Sequence, residues 1–315
     1  MRIRNLGTSG LRVSSIGLGC NNFGGRIDLE ATRSVVHRAL DLGITLFDTA
    51  DVYGNRGGSE ACLGEVLGTR RKDIVLATKF GLPMDDAETL KGASRRYIMR
   101  AVEESLRRLR TDWIDLYQLH RPDPLTPIEE TLRALDDLIR QGKIRYIGCS
   151  NFPAWQVVEA QWTARASGLN AFVSCQDEYS LIVRDVVEAD LASAITRYDM
   201  GLLPYFPLAN GLLTGKYRRG APAPADARLA KTPHLADRYL TPLNFEAAEK
   251  LGGWAAERGH TLLDLAFAWL LSHPTVGSVI AGATKPQQID ANVGTAGWEL
   301  SAGDLSEIDT LLRPA

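Results

Sequence analysis

Short apolar runs alternate along this chain with longer stretches in which apolar residues return every three or four positions. The first kind reads as buried strands and the second as helices with one apolar face. Strands are predicted at 16–19, 45–48, 74–79, 113–120, 144–150, 172–176, 201–205 and 278–281. Helices fall between them. Over 94–109 Ile98, Val102, Leu106 and Leu109 share a face, and over 127–139 Ile128, Leu132, Leu135, Leu138 and Ile139 do the same. Pro127 suits the start of the second. Eight strand–helix alternations favour an α/β architecture closed into a parallel (β/α)8 TIM barrel over an open sheet. Ahead of them, residues 3–13 hold two short strands around Thr8-Ser9-Gly10, an N-terminal β-hairpin. After the seventh strand the rhythm breaks at 210–243, rich in Ala, Pro, Gly and Arg. This stretch is predicted as a long loop and a candidate lid, too poor in apolar residues to be held closed by its own packing.

A chain of 315 residues fits that architecture as one domain spanning 1–315, since such barrels run to about 250 residues and beyond. An apolar share of 45% against 23% charged residues is enough for a full core. The net charge of −2 gives no reason to expect a nucleic acid or an anionic membrane as partner. Cys20, Cys62, Cys149 and Cys175 form no C-x-x-C pair and no metal-ligand spacing with the five histidines, so no metal site is expected. Reduced thiols point to a cytoplasmic location. No basic start followed by an apolar core opens the sequence, so no signal peptide is expected. The longest apolar stretch, 262–271, is interrupted by Asp264 and falls short of the ~20 residues a membrane span needs.

Chemistry in such a barrel gathers at the carboxyl ends of the strands. Here those ends carry Asp48, Lys79, His120, Ser150 with Asn151, Gln176, Tyr205 and Gly282. Tyr53 follows Asp48 by five residues, on the next loop. A single strand-end Asp is often only a helix cap, and a single His is usually structural; the ordered set is not explained by packing. An ammonium beside a phenol stabilises the phenolate and lowers a pKa that is ordinarily ~10, so Asp48, Tyr53, Lys79 and His120 have the makings of a proton-donating site. No side chain donates hydride, so reduction would need a cofactor. The Rossmann fingerprint is absent, because Asn22 stands where Gly17-x-Gly19 would require a third glycine. The run 211–217 is one residue short of a phosphate loop and ends in Tyr217.

Several motifs go further. Gly43-Ile44-Thr45-Leu46-Phe47-Asp48-Thr49-Ala50, Tyr53-Gly54, Ser59-Glu60, Thr78-Lys79 and Leu116-Tyr117-Gln118-Leu119-His120 are joined by Gly142-Lys143-Ile144-Arg145, Gly148-Cys149-Ser150-Asn151 and Gly211-Leu212-Leu213-Thr214-Gly215-Lys216-Tyr217. On these the chain resembles the aldo-keto reductase superfamily over nearly its whole length, on the branch that includes bacterial reductases and potassium-channel β subunits. The resemblance implies that Tyr53 protonates a carbonyl oxygen as hydride arrives at carbon. Lys79 would lower its pKa, Asp48 would hold Lys79, and His120 would orient or polarise the carbonyl. It implies NADPH/NADP+ as cofactor, preferred over NADH. Ser150, Asn151 and Gln176 would bind the nicotinamide carboxamide and Tyr205 would stack on the ring. Leu208, Gly211, Lys216 and Arg228 would follow the phosphates. Gly282, Thr284 and Lys285 would lead into a phosphate-binding helix start, and Gln288 and Asn292 would meet the adenine. Ala281 and Ala291 depart from the Pro and Glu that many relatives carry there. Asn21, Asn22, Phe23, Phe80 and Phe206, with Met84, are the expected walls of a pocket for an aldehyde, ketone or sugar. The resemblance leaves open a dehydrogenase working in the oxidative direction and a cofactor-sensing subunit of a membrane complex. Oligomeric state is not legible.

Overall fold

The computed structural model describes residues 1–312, so the last three positions of the expected unit, 313–315, lie outside the described residues. Strands β1 (Ile3–Asn5) and β2 (Arg12–Ser14) form the hairpin. The barrel strands are β3 (Ile16–Gly19), β4 (Leu46–Asp48), β5 (Val75–Phe80), β6 (Ile114–Leu119), β7 (Ile144–Ser150), β8 (Ser174–Glu178), β9 (Gly201–Tyr205) and β10 (Val279–Gly282). From β3 to β9 each pairs in parallel with the next, and β10 pairs in parallel with β3. Closure between β9 and β10 comes through the segment leading into β10, where Leu202 N–H donates to Thr275 O and Gly277 N–H to Leu202 O. The strands fall within a residue or two of their predicted positions. The (β/α)8 barrel and the hairpin are both present.

The helices are α1 (Leu29–Asp41), α2 (Tyr53–Leu67), α3 (Arg95–Leu109), α4 (Ile128–Arg140), α5 (Ala154–Ser167), α6 (Ala192–Arg197), α7 (Pro233–Tyr239), α8 (Pro242–Ala256), α9 (Leu262–Ser272), α10 (Pro286–Gly294) and α11 (Ala302–Leu312). In α3 the apolar stripe is buried as its spacing requires, Ser94 caps the start by accepting from Tyr97 N–H, and Arg110 ends it in a left-handed conformation.

Because side chains alternate along a strand, each β-residue faces either the barrel axis or the helices. Leu46, Ala77, Leu116, Leu203 and Ile280 point inward and pack with Leu6, Leu11 and Val13, so the hairpin plugs the amino-terminal end. Phe47, Leu76, Phe80, Tyr117, Leu119, Ile147, Cys149 and Cys175 point outward into the larger core beneath the helices. Phe80 therefore cannot wall a pocket at the mouth. It follows the inward Lys79 by one residue, is fully buried, and stacks on Tyr117 with ring centres 4.6 Å apart.

One ion pair ties this shell together. Glu60 on α2 is wholly buried; it accepts from Thr78 Oγ1 of β5 at 2.6 Å and from Arg108 Nε of α3 at 2.7 Å. Removing the guanidinium strands a carboxylate in the core. Arg108→Met is expected to lower unfolding stability by about 3–5 kcal/mol, measured by urea denaturation; a loss below about 1 kcal/mol would mean Glu60 does not depend on this partner.

Candidate active site

Continuing the inward parity of each strand leads to the carboxyl-end rim. Asp48 lies two residues beyond Leu46, Lys79 beyond Ala77, Gln118 beyond Leu116, Gln176 beyond Ser174 and Tyr205 beyond Leu203. Lys79 is completely buried, with Nζ 2.6 Å from Asp48 Oδ2 and 2.9 Å from Thr49 O. The other carboxylate oxygen accepts from Gln118 Nε2 at 3.2 Å and from Gln176 Nε2 at 2.9 Å. In sheet order β4 and β8 stand four places apart in a ring of eight, so the Gln176–Asp48 bond crosses the barrel. Gln118 was not singled out from sequence, although its position two residues before His120 on an inward parity marks it.

The Lys79 ammonium lies 5.1 Å from the centre of the Tyr53 ring, and His120 meets that ring edge-on with centroids 5.7 Å apart. Burial works against the lysine's charge, but Asp48 and Tyr53 outweigh it, and its pKa is raised. The tyrosine departs from expectation. Desolvation of its hydroxyl, reinforced by Asp48, outweighs the lowering by Lys79, so the phenol lies above its ordinary value and is protonated at neutral pH. His120 is held well below the usual imidazole range by burial and then by Lys79 and Arg121. It is neutral, and its Nδ1 has no protein partner.

Asn151, at φ +59°, donates to His120 O at 3.0 Å and accepts from Tyr205 OH at 2.8 Å, while Ser150 Oγ donates to Gln176 O at 2.7 Å. These groups open onto a cavity of about 840 Å³. Asp48, Tyr53, His120, Ser150, Asn151, Gln176, Tyr205, Leu208, Gly211, Lys216, Arg228, Gly282, Thr284, Lys285, Gln288 and Asn292 all line it, as do Asn21, Asn22 and Phe206. Phe23 and Phe80 do not; Phe23 is wholly buried beneath the turn after β3. Met84 is absent from the lining as well. Arg26, Leu82, Arg121, Asn210, Asp226 and Lys231 line it without having been anticipated.

The far end of the cavity is rich in cations. The Arg228 guanidinium lies over Phe206, 5.1 Å from its ring centre, and Arg26, Lys216 and Arg228 take part in no ion pair among the described residues. Lys285 is 3.3 Å from Asp226, an exposed and therefore weak contact. Gly211, at φ +99°, leaves the space a Cβ would fill 2.9 Å from Lys216 Nζ. Asn210 is nearly buried in the lining with neither polar side-chain atom paired. Unpaired cations, orphaned amide atoms and an aromatic face lining one cavity fit an anionic dinucleotide. One expected phosphate contact takes a different form. The amides of Thr284 and Lys285 point at Gln288 Oε1, at 2.7 and 3.3 Å, so Gln288 caps α10.

The segment after β9 is more ordered than its composition suggested. It forms 3-10 turns at Ala209–Thr214 and Leu229–Lys231 and the helix α7. Leu212, Leu213, Tyr217, Ala227, Leu229 and Tyr239 are buried, so apolar packing does hold it. Its far end is latched to the rim, where Glu178, the last residue of β8, accepts from Tyr239 OH and from Arg238 Nη2 at 2.7 Å.

Fold and site together define the class, that of (β/α)8 barrels with a cation-lined cavity at the carboxyl ends of the strands. The Aldo/keto reductase family model matches residues 15–313, and the chain belongs to that family. It is 40% identical to a probable voltage-gated potassium channel subunit beta of Arabidopsis thaliana over 301 residues, 93% of this chain and 90% of the relative. It is 39% identical to a protein of the same description from Oryza sativa subsp. japonica, with the same coverage. The branch matches the one its motifs resemble. Among the described residues no helix is long and apolar enough to cross a membrane.

The latch gives a direct test of how the segment is held. Glu178→Gln keeps the shape but removes the charge that both partners use, which is worth roughly 1.5–3 kcal/mol for a charge-assisted bond. Amide exchange over 229–240 is expected to quicken roughly ten- to hundredfold while the barrel strands are unchanged. Unaltered exchange there would assign the anchoring to the apolar contacts alone.

Proposed function

We propose that this chain is an NADPH-dependent reductase of aldehydes, ketones or sugar carbonyls. The observation that carries the reading is a protonated phenol beside a completely buried, acid-paired lysine and a neutral imidazole, in a cation-lined cavity of about 840 Å³. When bound, the reduced nicotinamide supplies the hydride. The chain's own residues handle the rest. Tyr53 gives its proton to the carbonyl oxygen, and Lys79, held charged by Asp48, stabilises the phenolate left behind. His120, carrying no charge, offers the carbonyl oxygen a hydrogen bond without competing with Lys79 for the phenolate.

Ser150, Asn151 and Gln176 surround the inner end of the cavity and suit the carboxamide, with the Tyr205 ring beside them. Leu208 and Gly211 line the path of the phosphates. Lys216, Arg228 and Lys285 offer charge to a pyrophosphate or 2′-phosphate, which favours NADPH over NADH. Gly282 ends β10 and Thr284 lies on the turn into α10, with Gln288 and Asn292 on the helix itself, toward the adenine.

A second reading draws on the names of the relatives: a nicotinamide-binding regulatory subunit of a membrane complex. Turnover separates the two. The native protein is expected to oxidise NADPH with a panel of aldehydes, and Tyr53→Phe, which keeps the ring, is expected to lose roughly 10²–10⁴-fold in kcat. Its NADPH affinity, read by fluorescence titration, should stay near native. NADPH binding without turnover in the native protein would favour the subunit reading; a folded Tyr53→Phe variant with near-native turnover would remove Tyr53 as the acid.

A further inference from the structure

The cations of the cavity fall into two groups. Arg26, Lys216, Arg228, Lys231 and Lys285 belong to the dinucleotide side: Arg26 acts on Lys216 and Arg228, Arg228 on Tyr217, Lys231 lies one turn beyond Arg228 with its N–H donating to Arg228 O, and Lys285 meets Asp226. Arg121 stands apart. It follows His120 at the end of β6, lines the cavity, is exposed, and its charge is felt at His120 and Tyr205.

The acids around that part of the rim are already engaged. Asp123 accepts from Ala93 N–H, Leu125 N–H and Thr126 Oγ1 at 2.7, 3.0 and 2.8 Å. Glu178 holds Arg238 and Tyr239. Asp177 is buried beneath the rim, where Cys175 Sγ lies 2.9 Å from it. Asp48 holds Lys79. Among the described residues Arg121 takes part in no ion pair. An unneutralised guanidinium thus stands beside the proton donor's partner His120, with Leu82 and Phe206 as apolar walls of the same cavity.

We infer that the substrate is an oxo acid, a carbonyl compound whose carboxylate is bound by Arg121 while its carbonyl oxygen meets Tyr53 and His120. This rests on the reductase reading and narrows its substrate class. A guanidinium edge matches a planar carboxylate with two parallel hydrogen bonds, and one cation balances one negative charge. A phosphate dianion is better met by the several cations of the dinucleotide side. The product is the corresponding hydroxy acid, by the same hydride and proton delivery.

The test compares two aldehydes of equal reach, 4-carboxybenzaldehyde and 4-formylbenzamide, with NADPH. The amide withdraws electrons more strongly than the carboxylate, so intrinsic reactivity favours the amide and cannot produce the opposite preference. The native protein is expected to favour the acid about tenfold to hundredfold in kcat/KM, and Arg121→Met to bring the ratio near one, with Arg121→Lys between them. A native ratio near one, or a ratio unchanged in Arg121→Met, overturns the inference and leaves the reductase reading standing. Calorimetry of benzoate and benzamide binding to the NADP+-saturated protein decides the case without turnover. If neither aldehyde is reduced, the reductase reading fails, and the anion subsite then stands only if benzoate binds more tightly than benzamide and Arg121→Met removes the difference; equal binding overturns it too.

Discussion

Complete burial of the Lys79 ammonium is the constraint around which the barrel's upper end is arranged. Taking a lysine and a carboxylate out of water costs several kcal/mol per ion even after relaxation, and the pair is stable only if the remaining hydrogen-bonding capacity is met. Here Asp48 Oδ2 and Thr49 O meet the ammonium, and two glutamine amides meet the other carboxylate oxygen. The donors come from β6 and from β8, on the far side of the ring. The charge pair is therefore satisfied only when the barrel is closed, and the geometry that serves proton transfer is also a check on correct closure.

Much of this was legible because a strand has a two-residue period. Leu46 inside places Asp48 inside, and the same step takes Ala77 to Lys79 and Leu203 to Tyr205. The same rule read one residue further would have kept Phe80 out of the pocket, since Lys79 and its successor must face opposite ways. The segment after β9 was harder. Its apolar residues have no regular period, and their burial arises from contacts with distant elements, such as Tyr239 with Glu178. Gln288 illustrates a different limit. It lines the cavity, and its amide oxygen is also taken by the N–H groups of Thr284 and Lys285 at the start of its own helix, a second use that the position alone does not reveal. Burial of the Tyr53 hydroxyl, which outweighs the neighbouring ammonium, is a property of the fold that the spacing of residues does not carry.

The cavity's two ends are electrostatically distinct. At the dinucleotide side several cations lie within reach of one another with a single exposed acid, Asp226, beside Lys285. That arrangement is self-repelling without an anion, so an anionic ligand is stabilised partly by relief of that repulsion. At the reacting end Lys79 is already matched by Asp48 and His120 is neutral, so the positive charge left beside them is that of the exposed Arg121 guanidinium. The separation limits how strongly the phosphate-binding charges act on the phenol. Arg228 lowers the Tyr53 pKa, but its influence ranks below that of burial, Lys79 and Asp48.

Tyr53 is the member of the proton-donating cluster furthest along the chain from a barrel strand, and its position depends on a turn. Residues Gly54, Asn55 and Arg56 all adopt left-handed conformations, followed by Gly57 at φ +116°. A Cβ at Gly54 would stand 2.4 Å from Phe23 O and 2.6 Å from Ser59 N, and one at Gly24 would stand 2.5 Å from Gly58 C. The loop after β3 and the start of α2 thus meet backbone to backbone, an approach that side chains would prevent. Ser59 Oγ secures the contact by donating to Cys20 O at 2.7 Å, and it lies 2.8 Å from Thr49 Oγ1. Thr49 in turn supplies the carbonyl that meets Lys79. Phe23, expected as a pocket wall, contributes its carbonyl and its buried ring to this junction instead. The phenol and the ammonium are held in register by one continuous set of contacts, running from the β3 loop through Ser59 and Thr49 to Lys79.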